Sequence, residues 1–217
     1  MNYTTRDLQA RVCALGHVTG VDGMNGPGTR KAVAAAMRAQ RVRTEAELFH
    51  ASGIHALVWH WTAGRDMPTA DDLLHYNDVF DCDGNQYDGG ARIEHQANYD
   101  WRRKIGVSHS LNANTGRGGL SVAGMHGAEG WPSFKWGSHP ITWEGIDGML
   151  KRSAQYCHAF DIPVTKWSTL SHAEIEQTLG IKQRNKWDYM VLPGFTAPVN
   201  AVKVGDILRA RLIERFM

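Results

Sequence analysis

Cysteine is scarce. The 217 residues hold three, Cys13, Cys82 and Cys157, widely spaced and in no CxxC arrangement, which excludes a disulfide framework and points to reduced, structural thiols. Long apolar runs are missing too: no stretch approaches the roughly 18 uninterrupted apolar residues of a membrane-spanning helix, so stable membrane insertion is not expected. The first residues, MNYTTRDLQARV, put charges where a secretory signal would have its apolar centre. The expectation is synthesis in the cytoplasm without a signal peptide, any action outside depending on release by another agent. An excess of one charge is also lacking. Lys and Arg number 24 against 22 Asp and Glu, a net charge of +2, which argues against a nucleic-acid partner. The basic clusters at 38–43 and 182–186 read as solvated faces.

What is present is an ordinary globular composition, 42% hydrophobic and 21% charged, enough for one full domain and a small second one. TRDLQARVCALG (5–16) sets Leu8, Val12 and Leu15 at helical spacing and closes on Gly16. A glycine-rich turn, GVDGMNGPGT, leads into an alanine-rich helix over 29–41, and Thr44 with Glu47 predicts a short third helix with a capping box. Residues 1–50 thus read as a helical module, separate from a domain over 51–217. That domain alternates strands and helices: a strand over 54–61, a helix capped by Thr69, a hairpin over 76–87 turning at Asp83-Gly84, a buried strand over 118–124, and amphipathic helices over 142–160 and 201–216. The predicted class is α/β (α+β), a mixed central sheet flanked by helices.

The run LVWHWTAG (57–64) raises a chemical question, since His60 stands alone in an apolar strand. An imidazole there is either a core histidine satisfied by backbone groups or a metal ligand, and the second reading needs partners. SHAEIEQTLGIKQRNKWDYMVLPG (171–194) supplies His172 after an apolar step and Asp188 in a loop. Two imidazoles and one carboxylate around zinc leave a fourth tetrahedral position for water, the pattern of a catalytic site. Lys186, two residues before Asp188, shares its side of an extended loop.

VWHWTAG resembles the first-ligand strand of zinc-dependent N-acetylmuramoyl-L-alanine amidases (the amidase type 2 and peptidoglycan recognition protein group), and HAE…LGIKQRNKWDYMVLPG resembles their second-ligand histidine and Lys-x-Asp loop, as in phage endolysins. Between these, SHSLNANTGRGGLSVAG and HYNDVFDCDG resemble further segments of the same family in the same order. LQARV…G…VDGMNGPGTRKAV is similar to the peptidoglycan-binding helical module of cell-wall hydrolases, carried by Asp22, Gly23, Gly26, Pro27 and Thr29; a helix-turn-helix DNA reader is the rival reading of those helices. The resemblance implies one zinc per chain on His60, His172 and Asp188, catalytic roles for Lys186 and Tyr76, and a substrate contact for His109.

It further implies a monomeric phage endolysin whose partner is bacterial peptidoglycan and which reaches the wall from the host cytoplasm by release across the inner membrane. Two alternatives are a non-catalytic peptidoglycan recognition protein, expected to lack a zinc ligand, and a cytosolic muropeptide-recycling amidase. The latter is disfavoured by Ser121, which stands where that branch carries a glutamate. Trp101, Trp131 and Trp136 are candidates to face sugar rings, and the sequence selects none of them.

Overall fold

The computed structural model describes residues 3–217. Helix α1 (Thr5–Ala14) begins where Thr4 and Asp7 close a reciprocal capping box. Helix α2 (Pro27–Gln40) starts on Pro27 and stops at Arg41, which takes a left-handed conformation. With the 3-10 turn Glu45–Leu48, they bury Leu8, Val12, Val33, Ala36, Leu48 and Phe49 against one another. The glycine-rich turn between α1 and α2 is organised by Gln9, which is wholly buried. Its amide nitrogen lies within hydrogen-bond reach of Asp22, the Met24 carbonyl and Thr29, and its oxygen accepts from the Gly23 N–H. Gly23 sits at φ +82°, a conformation that glycine adopts without strain.

Five strands follow: β1 (Ala56–Trp61), β2 (Asp78–Phe80), β3 (Gln86–Asp88), β4 (Arg117–Val122) and β5 (Thr169–Ser171). They form one sheet in the order β3-β2-β4-β1-β5, parallel except for β3, which pairs antiparallel with β2. The sheet is mixed, as the sequence predicts. Four helices accompany it: α3 (Ala70–His75), capped by Thr69; α4 (Trp143–Ala159), capped by Thr142; α5 (Glu174–Leu179); and α6 (Ala201–Phe216), capped by Asn200.

Strand alternation sorts β1 onto two faces. Leu57, Trp59 and Trp61 join Leu120, Val122 and Phe80 against Ile146, Met149 and Leu150 of α4 and Val204, Leu208 and Leu212 of α6. Val58, on the other face, packs with Leu170, Ile175, Leu179 and Ala113. His60 shares that second face. A strand covered on both sides reads as a continuous apolar run, which is why LVWHW looks as it does.

Ala10 of α1 belongs to the cluster around Val58, so the first helix helps cover the sheet. Polar ties reinforce this contact. Arg6 donates to the Leu179 carbonyl at 2.7 Å, Arg11 donates to the Asp161 carbonyl at 3.0 Å, and Asp7 forms an ion pair with Arg117 of β4. Burial alone would raise the Asp7 pKa, but the Arg117 guanidinium and His55 hold the carboxyl far below the usual carboxylate range.

Asp7 and Arg117 are only 6% and 4% exposed at their side chains, and removing one partner of such a pair leaves a buried charge without its counter-charge. Asp7→Asn is expected to cost about 3–5 kcal/mol in urea unfolding, whereas Glu129→Gln, which breaks the exposed pair with Lys135, is expected to cost less than about 1 kcal/mol. Because the folded Asp7 carboxyl titrates below the unfolded one, its contribution is complete above about pH 5 and declines as the pH falls toward the folded value. The acid limb of the stability profile is therefore expected to be shallower in Asp7→Asn; an unchanged limb would show that the pair does not control it.

Candidate metal centre

The site lies where the parallel strands end at their carboxyl termini, the customary place for ligands in open α/β sheets. His60 is the penultimate residue of β1. His172 directly follows β5, and its N–H donates to the Trp59 carbonyl at 3.0 Å, continuing the ladder by one step. Asp188 arrives from the loop after α5 and is held from two directions. Its Oδ2 accepts from the Trp61 N–H at 3.3 Å, and the neighbouring Tyr189, wholly buried, donates its hydroxyl to the His60 carbonyl at 3.0 Å.

These placements bring one ligand atom from each of His60, His172 and Asp188 within 4.8 Å of one another, all three residues being buried. The two imidazole centroids are 4.6 Å apart and inclined at 71°, and His172 Nδ1 lies 3.7 Å from Asp188 Oδ1. Burial pushes the His60 pKa well below its usual value, helped by His172, His109 and Lys186. Burial also lowers that of His172, against the pull of Asp188. Both rings are therefore neutral at pH 7 and offer lone pairs, while Asp188 supplies the anionic ligand. Two nitrogens and one oxygen suit zinc and leave a fourth position free. This cluster could hold a metal ion.

The other residues expected from the sequence surround His60. The Tyr76 ring lies 5.1 Å from the imidazole, and its pKa is raised by burial and then by the Asp188 charge, so the phenol keeps its proton. Lys186 is exposed, and its charge lowers the pKa of both imidazoles. His109 lies behind His60: its Nδ1 is 3.1 Å from His60 Nε2 and its Nε2 is 3.1 Å from the Arg117 carbonyl. Burial pushes its pKa down to about 3. The ring lies against β4, where a Cβ on Gly119 would lie 2.5 Å from the His109 Cγ. Ser121 pairs with His60 in the β1–β4 register, and its hydroxyl has no hydrogen-bond partner among the described residues.

Two residues that sequence reasoning did not single out are Tyr189 and Gln183. Tyr189 follows a candidate ligand and sits in an apolar run, which is a usable signal. Gln183 lies in a basic stretch and carries none, yet it is buried with its Oε1 2.9 Å from His172 Nε2.

No family model and no curated protein matches the chain. Among solved structures, it is similar to the N-acetylmuramoyl-L-alanine amidase LysC from Clostridium intestinale URNW, at 14% identity and a TM-score of 0.44, over 74% of this chain and 86% of that one. The functional reading therefore rests on the geometry of the site.

Purified protein is expected to bind about one zinc ion per chain, and His60→Ala or His172→Ala to abolish that binding while circular dichroism stays native. The donors are set by strands and core packing, so the metal-free protein is expected to remain folded, unlike a zinc finger. Zinc at a thousandfold excess over its Kd then adds about 4 kcal/mol to stability. Stoichiometric zinc in either variant would place the metal elsewhere.

Proposed function

We propose that this chain is a zinc-dependent N-acetylmuramoyl-L-alanine amidase, a peptidoglycan hydrolase that cleaves the amide between the lactyl group of N-acetylmuramic acid and L-alanine. The observation that carries the reading is the convergence of His60, His172 and Asp188 at the open end of the sheet, with the Tyr76 ring beside His60. The order of the matching sequence segments supports it.

A zinc ion held there would lower the pKa of a water from 15.7 to roughly 7 and would polarise a carbonyl. His60, His172 and Asp188 would hold such an ion. Water adds to the amide carbon, the C–N bond breaks, and the amine of L-alanine leaves with a proton. Lys186 supplies a positive charge for the oxyanion that forms during this addition. Tyr76, kept protonated by its surroundings, orients the water or relays its proton toward the leaving nitrogen, taking one from the water as it gives one up. The helical module of residues 1–50 holds the enzyme on its polymer and raises local concentration.

The chain acts in this reading as a monomeric endolysin, made in the host cytoplasm and reaching the wall after release across the inner membrane. A recognition protein with a dead site is the second reading, and it is disfavoured because all three donor residues converge.

Digestion of purified sacculi is expected to release free stem peptides, read by mass, with no new reducing sugar ends. Lys186→Ala is expected to keep zinc and to lower the chemical rate by about 10²–10³, as removal of one oxyanion donor does. Lys182→Ala, in the same basic loop, is expected to change it by less than about twofold. Equal small losses in both variants would remove Lys186 from the mechanism.

A further inference from the structure

An imidazole binds a metal through one nitrogen only, and the group bonded to the other nitrogen decides which one is free. At His172 that group is the Gln183 side chain, whose Oε1 lies 2.9 Å from His172 Nε2. The orientation of the Gln183 amide is itself determined by the backbone. Its nitrogen reaches the carbonyls of Leu111 at 2.8 Å and Ile181 at 3.2 Å, and its oxygen accepts from the Leu111 N–H at 3.1 Å. Flipping the amide would set an oxygen against two carbonyls and an NH2 against an N–H, so one orientation alone satisfies every group. His172 Nε2 must then carry the proton. Its lone pair is on Nδ1, the atom 3.7 Å from Asp188 Oδ1.

The same logic applies at His60 through a different partner. The Arg117 carbonyl can only accept, so His109 Nε2 is protonated and His109 Nδ1 accepts from His60 Nε2. Leu111 lies two residues beyond His109, so one stretch of backbone seats both supporting groups. Gln183 is the stronger case because three backbone groups fix its orientation.

We propose that Gln183 is a positioning residue for the metal centre, holding His172 as the Nε2–H tautomer so that Nδ1 faces the metal. This rests on the His60–His172–Asp188 site being a metal centre, and it does not depend on which bond the enzyme cleaves. An amide does this without adding charge: unlike a carboxylate, it sets the tautomer and leaves the net charge of the site unchanged.

The test uses the full chain. In the metal-free wild-type protein, nitrogen NMR of the His172 ring is expected to show the Nε2–H tautomer; a predominant Nδ1–H form would overturn the proposal without any variant. Gln183→Met, similar in length and lacking the acceptor, is expected to weaken zinc binding by about 10–100-fold in chelator competition. Wild-type zinc affinity in folded Gln183→Met would refute the assignment, and if that variant does not fold, the wild-type tautomer decides. A wild-type protein that takes up no zinc overturns the metal centre and this role together, whereas zinc uptake without amide hydrolysis overturns only the proposed reaction.

Discussion

The parallel pairing of β1 with β4 on one side and β5 on the other is the constraint on which the site depends. Its register sets Trp59 beside Ser171 and His60 beside Ser121, so the next residue after β5 is His172, level with His60. A slip of one residue in β5 would turn His172 toward α4 and α6 and leave a polar ring in an apolar layer. The apolar face of β1 opposes that slip. Trp59, wholly buried, packs there and donates its indole N–H to Ser153 of α4 at 3.0 Å. Hydrophobic burial on one face of the sheet thus fixes the chemistry of the other.

Asp188 does not belong to the sheet and has to be brought to it. The chain achieves this at Tyr189, which adopts φ +60°, an unfavourable conformation for a bulky residue that costs on the order of 1–3 kcal/mol. Burying the tyrosine ring returns about the same amount, and its hydroxyl bond to the His60 carbonyl makes the turn specific. Trp187 lies edge-on to Trp61 at 4.8 Å, and Val191 and Leu192 enter the core beyond. The loop is anchored on both sides of Asp188, so packing alone holds the carboxylate in place. His60, Tyr189 and Asp188 form one mechanical unit, which links the strand to the third ligand.

The parts visible in the sequence are those whose causes are local. Helices α1, α4 and α6 announce themselves through apolar spacing and cap residues, and the hairpin through Asp83-Gly84. Strand β5 and helix α5 give no such signal: three residues cannot show a period, and Thr169–Ser171 is a strand because β1 lies alongside. The candidate ligands are legible because each sits in a segment with a recognisable pattern. Gln183 is illegible because what orients it is the backbone of Leu111, 72 positions away. The Asp7–Arg117 pair, 110 positions apart, is hidden for the same reason: on a helix's first turn an aspartate looks like a cap, and it is one, but its other oxygen faces β4.

The exposure of Lys186 fits the task assigned to it. An ammonium buried beside two neutral imidazoles and a bound cation would be expelled or would lose its proton, so in the proposed reaction the charge stays in water until substrate arrives. In that state it contributes little, since two unit charges 4 Å apart interact by about 1 kcal/mol in water. In the proposed reaction substrate would displace that water, and at an effective dielectric of 20 a pair 4 Å apart would be worth about 4 kcal/mol. The gain of about 3 kcal/mol falls only on the state that carries the oxyanion, which is the condition for accelerating a reaction rather than tightening binding. Proximity of Lys186 to Asp188 along the chain serves the proposed role in the same way: the loop that carries the candidate third ligand would also set the distance from which the charge acts.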